Sequence, residues 1–121
     1  MAERRLCGIR GATTVGQNTA TAILAATRGL LLAMREANGF ALEDIVTVFF
    51  SLTPDLDAAY PAAAAREIGW TEVPLFGGQE AGVPGSPPRC VRVLIQLYRS
   101  GPGTLHHVYL GEAARLRPDL T

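Results

Sequence analysis

The segment Arg89-Cys90-Val91-Arg92-Val93-Leu94-Ile95-Gln96-Leu97-Tyr98 constrains the fold more than any other part of the chain. It reads as the longest strand, and alternate side chains of a strand share a face. Val91, Val93, Ile95 and Leu97 therefore line one face, and Cys90, Arg92, Leu94 and Gln96 the other. The first set requires a covered sheet face. The second places a guanidinium among apolar neighbours, and an unpaired guanidinium in an interior costs several kcal/mol. Arg92 thus implies a wet face, a structural ion pair with a protein carboxylate, or an anionic ligand.

The 121 residues suffice for one domain, 1–121, with a core that needs no metal or disulfide staple. Hydrophobic residues make up 48% and charged residues 18%, as in a globular protein, and the formal net charge of zero argues against nucleic acid as partner. No apolar run is long enough for a membrane span, and the N-terminus lacks a signal-peptide pattern, so the expected location is the cytoplasm. Cys7 and Cys90 are expected as buried, unreactive thiols. His106 and His107 are adjacent and without metal-ligand spacing, so neither a metal nor another cofactor is expected.

Along the chain, Arg5 to Thr14 reads as a first strand in which Gly8 and Gly11 flank Arg10. Glycines there suggest a close approach by backbone or ligand. Asn18 or Thr19 can cap a helix whose apolar stripe runs Ile23, Leu24, Thr27, Leu30, Leu31 and Met34, and Asn38-Gly39 can end it. The run Ile45–Thr53 is a strand with both faces covered, and Pro61 can start a short helix reaching about Glu67 and carrying Arg66. Val73 to Phe76 reads as a short edge strand. Residues 77–88 read as the longest loop, with Glu80 its only charge. After the Arg92 strand, Leu105–Leu110 forms a last strand, Gly111–Leu116 makes one or two helical turns, and 117–121 is a polar tail able to order over a ligand. The fold class is α+β: a mixed β-sheet of about five strands, one long helix and one or two short ones on a single face. The other sheet face calls for a partner subunit.

Several arginines, one loop glutamate and one strand tyrosine are the residues available for chemistry. Ser51 and Ser86 have no histidine base suggested by spacing, so covalent catalysis is not indicated. Arginine forks with a tyrosine suit a carboxylate or phosphate ligand, and a reaction that needs only positioning and charge stabilisation.

The segments Gly8-Ile9-Arg10-Gly11-Ala12-Thr13-Thr14, Thr53-Pro54-Asp55-Leu56, Tyr60-Pro61-Ala62, Arg66-Glu67, Cys90-Val91-Arg92-Val93, His107-Val108-Tyr109-Leu110 and Leu116-Arg117-Pro118-Asp119-Leu120 resemble, in order and spacing, those of the AroH-class chorismate mutases. The resemblance runs nearly end to end. It implies a homotrimer described as a pseudo-α/β-barrel, with active sites at subunit interfaces, and a Claisen rearrangement of chorismate to prephenate in aromatic amino acid biosynthesis. It implies that Arg10, Arg92 and Tyr109 hold the side-chain carboxylate, with Arg92 also donating to the ether oxygen, and that Glu80 binds the ring hydroxyl. It further implies that Tyr60 and Leu116 form apolar walls, that Arg66 lies near the mouth, and that no cofactor takes part. Ala63 and Gly77 depart from the family's frequent lysine and cysteine, from which weaker binding is expected. A non-catalytic anion-binding trimer, or a protein like the trimeric enamine deaminases, is the alternative.

Overall fold

The segment around Arg92 becomes the middle of a sheet because both of its neighbours run antiparallel to it. A computed structural model describes residues 3–101 and 103–116. Its strands are β1 (Arg4–Thr14), β2 (Ile45–Leu52), β3 (Leu75–Gln79), β4 (Cys90–Ser100) and β5 (Val108–Tyr109), in the order β3-β2-β4-β1-β5. β4 pairs antiparallel with β1 and β2, while β3 and β5 add in parallel at the edges. Helices α1 (Ala20–Asn38) and α2 (Ala62–Glu67) are accompanied by 3-10 turns at Leu42–Asp44 and Gly111–Leu116. The α+β reading stands. No helix among the described residues is long and apolar enough to cross a membrane.

α1 begins where Thr19 turns extended and its hydroxyl accepts from the Ala22 N–H, and it ends at Gly39, whose φ of 63° lets its N–H reach Arg35 O. Between these caps, Ile23, Thr27, Leu30, Leu31 and Met34 are buried in one stripe. They share a core with Ile9 of β1, Val48 and Phe50 of β2, and Val91, Val93, Ile95 and Leu97 of β4. The apolar parity of β4 therefore faces the helices, and the Arg92 parity faces away.

That second face is uncovered over much of its area. Leu6, Phe49, Phe76 and Tyr98 are exposed on it at 39–67%. Phe49 and Phe76 meet edge to face across β2 and β3. Only at one end is it capped, where Ala113 of the last 3-10 turn packs on Ala12 and Cys90, with Tyr109 and Leu116 beside them. The expectation that β2 is covered on both faces is not met within one chain.

Three local expectations are corrected. β3 starts after Pro74 and continues through Gly77-Gly78-Gln79, because ladder pairing with Phe50, Ser51 and Leu52 overrides the low strand propensity of two glycines. The loop accordingly begins at Glu80, not at Gly77. β5 shrinks to Val108–Tyr109 because side chains take the place of ladder bonds: Asn38 Oδ1 accepts from His106 N, Asn38 Nδ2 donates to His106 O, and on the β1 side the His107 Nδ1 accepts from Arg10 N. The expected tail, 117–121, lies outside the described residues.

The far end of the loop is also fixed. Asp55 accepts from Arg89 N through both carboxylate oxygens at 3.1 and 2.9 Å and accepts a hydrogen bond from the Thr53 hydroxyl at 2.5 Å. Thr53 Oγ1 in turn accepts from Cys90 N. This cage holds Arg89 at φ 47°. The Thr53 hydroxyl, with the Arg89 amide, keeps the Asp55 carboxyl below its usual value against a smaller opposing effect of burial.

Two outcomes follow from these contacts. Gly111 has φ 58°, and a Cβ there would sit 2.6 Å from Thr14 Oγ1, so Gly111→Ala should lower unfolding stability in urea by about 1–3 kcal/mol. A carboxyl whose folded pKa is depressed stabilises above its unfolded value and loses that contribution as pH falls through the folded pKa. Asp55→Asn should therefore melt at a lower temperature than wild type at neutral pH. The gap should narrow once pH drops below the usual 3.8, as followed by circular dichroism.

Candidate active site

One row of the sheet holds Arg92 and Tyr109, two of the polar residues singled out in the sequence, and Arg10 lies one strand repeat from it. Arg92 of β4 pairs with Ser51 of β2 on one side and Ala12 of β1 on the other, and the row continues to Gly78 of β3 and Tyr109 of β5. All five point their side-chain positions to the uncovered face, by strand alternation. Small residues on both sides of Arg92 leave a hollow in that face. The result is a cleft of about 390 Å³ lined by Arg10, Arg92, Ser51, Phe49, Tyr109 and Leu116, among others.

Each candidate side chain has a structural reason for its place. Arg10 precedes Ala12 by one strand repeat, so it shares the face, and its amide is tied to His107 next to β5. Tyr109 is brought to the row by its pairing with Ala12, reinforced by the Leu110 N–H donating to Ala12 O. Leu116 reaches the cleft because Gly111 turns the chain back over β1 and Ala113 packs on Ala12. Glu80 ends the ladder of β3, its N–H donating to Leu52 O at 2.7 Å.

From there Glu80 Oε1 lies 3.3 Å from Arg92 Nε and accepts from Ser51 Oγ at 2.5 Å. The Arg92 and Glu80 side chains remain 47% and 28% exposed. A pair this open is worth roughly 1 kcal/mol or less to stability, so a structural ion pair does not account for placing a guanidinium here. Both the wet face and the carboxylate partner anticipated for Arg92 are present together. Cys90, behind Arg92 on the same strand, is buried, and burial pushes its thiol pKa up, which keeps it protonated. Cys7 is only half-buried, short of the burial expected for it, and neither cysteine forms a disulfide.

The chain does not bring all expected site residues together. Tyr60 is 82% exposed and lines a separate hollow with Leu52, Leu56, Gly77, Gly78 and Gln79. Arg66 is exposed on α2 and lines neither hollow. Ser51 and Asp55 were not singled out as site residues by sequence. The sequence marks Ser51 only as a hydroxyl without a base, and its adjacency to Arg92 depends on a strand register that its own neighbours in sequence do not reveal.

The family described as "Chorismate mutase type I" matches residues 6–120. The chain is 53% identical to a chorismate mutase AroH of Thermus thermophilus over 115 residues, covering 93% of this chain and 94% of that one. It is 44% identical to a chorismate mutase AroH of Bacillus subtilis (strain 168) over 116 residues, covering 94% and 91%. A solved chorismate mutase from Clostridium thermocellum superposes with a TM-score of 0.82 at 44% identity, over 90% of this chain and 98% of that one. With an arginine-lined cleft on a matching fold and full-length similarity to these proteins, the chain belongs to the type I chorismate mutase family.

Proposed function

We propose that the cleft over Arg92 binds chorismate and catalyses its Claisen rearrangement to prephenate, with Arg92, Arg10, Glu80 and Tyr109 as the residues that contact substrate. Chorismate mutase activity accords with the family; the residue roles rest on a sheet face that brings two guanidiniums and a phenol to one hollow, with the Glu80 carboxylate against Arg92 beside it. In the rearrangement the ether C–O bond breaks as a C–C bond forms within one molecule, so no proton, electron or co-reactant is exchanged. Negative charge grows on the ether oxygen in the transition state. A guanidinium already in position meets that charge without reorganising. Arg10 and Tyr109 grip the enolpyruvyl carboxylate and hold the substrate folded, so that the reacting carbons start close together. Glu80 accepts from the ring hydroxyl, and Leu116 supplies apolar wall.

The reading extends to a homotrimer in which Tyr60 and Arg66 come from a neighbouring subunit. Two observations support it: the exposed aromatic and aliphatic side chains on the Arg92 face need cover, and Tyr60 and Arg66 stand apart from the cleft within one chain. Gly77 lines the hollow of Tyr60, where a Cβ would meet only ordinary contacts with Phe50, and the expectation of weaker binding rests on the side-chain contact that a glycine lacks there. The proposed setting is the cytoplasm, with the product feeding aromatic amino acid synthesis.

Loss of chorismate absorbance, with acid conversion of the product to phenylpyruvate, measures turnover directly. Arg92→Lys should fold normally yet lose activity equivalent to about 3–4 kcal/mol of barrier, because lysine cannot reproduce the fork. Near-normal turnover in that variant rejects the assignment, and dicarboxylate binding without turnover by the wild type favours the non-catalytic anion-binding alternative. Sedimentation should give a particle of three 12.8 kDa chains, and a monomer with full activity rejects the shared site.

A further inference from the structure

Ser51 lies between Gly78 and Arg92 in the row and lines the cleft. Its hydroxyl donates to Glu80 Oε1, the same oxygen that faces Arg92 Nε, and among the described residues Glu80 Oε2 has no hydrogen-bond partner. The backbone of Glu80 is pinned to Leu52, but a glutamate side chain still turns about three bonds beyond that anchor. Arg92 alone is a weak tether, because an open ion pair contributes little and a ligand carboxylate competes for the same guanidinium. A neutral hydroxyl suffers no such competition. It also donates to a charged acceptor, which makes the bond stronger than one between neutral groups.

We propose that Ser51 is a positioning residue for the rearrangement: it holds Glu80 Oε1 and so presents Oε2 as the acceptor for the substrate while Arg92 turns to the ligand. The inference rests on the assignment of the cleft as the chorismate site. Serine suits the position for two further reasons. Its small side chain preserves the hollow beside Arg92, and its place on β2, registered directly against both β3 and β4, gives the hydroxyl a rigid base.

A double-mutant cycle on the full-length protein tests it, with kcat and KM for chorismate measured in wild type, Ser51→Ala, Ser51→Thr, Glu80→Ala and Ser51→Ala/Glu80→Ala. Ser51→Ala should lower kcat/KM about tenfold at an unchanged melting temperature, the scale of one hydrogen bond to a charged group. Ser51→Thr, which keeps the hydroxyl, should stay within about twofold of wild type. In the Glu80→Ala background the serine change should have no further effect. The same loss in both backgrounds, no loss in Ser51→Ala, or a loss that follows a lowered melting temperature and is not restored by threonine overturns the proposal. Undiminished activity in Glu80→Ala instead overturns the site assignment itself, so the two failures are distinct.

Discussion

The antiparallel pairing of β4 with both β1 and β2 is the constraint on which the rest depends. It fixes which residues stand beside Arg92, and Ala12 and Ser51 are both small enough to leave a hollow there. The same alternation that turns Val91, Val93, Ile95 and Leu97 toward the helices turns Arg92 away from them. Core and site are thus two faces of one strand. A slip of one residue in either pairing would bury the guanidinium in the core and expose the valines.

Around this strand, the edges supply the remaining polar groups by different means. β3 brings Glu80 by finishing a parallel ladder at Leu52, and β5 brings Tyr109 by a two-residue pairing at Ala12. Side chains take over where the ladder stops. Asn38 and His107 hold the chain ahead of Tyr109, and Thr53 and Asp55 hold the entry to β4. The polar groups on the short, irregular edges therefore inherit their positions from the long central strands.

Much of this was legible in the sequence because it rests on local pattern. The parity of Val91 to Leu97, the caps of α1 at Thr19 and Gly39, and the turn at Pro61 are all carried by residues close together in the chain. What was not legible depends on partners far away. Gly77 and Gly78 look like loop until β2 lies beside them, and Leu105–His107 looks like strand until Asn38 takes up its backbone at His106 and the His107 side chain occupies the Arg10 N–H of β1. Ser51 is an ordinary strand serine by its neighbours and becomes notable only across the sheet, 29 residues from Glu80. Arg10, Glu80, Arg92 and Tyr109 were nominated by their chemistry and by resemblance. Their convergence is a matter of register.

The cage around Arg89 bears on how the segment from Glu80 to Arg89 behaves. Both of its ends are moored to the same scaffold, one at Leu52 through the Glu80 amide and the other at Asp55 through the Arg89 amide. A span fastened at both abutments can arch or flatten between them without hauling its anchors along. Whatever passes over the cleft on that side, the backbone of Glu80 and the entry to β4 keep their places, and the mechanical slack of the loop is insulated from both.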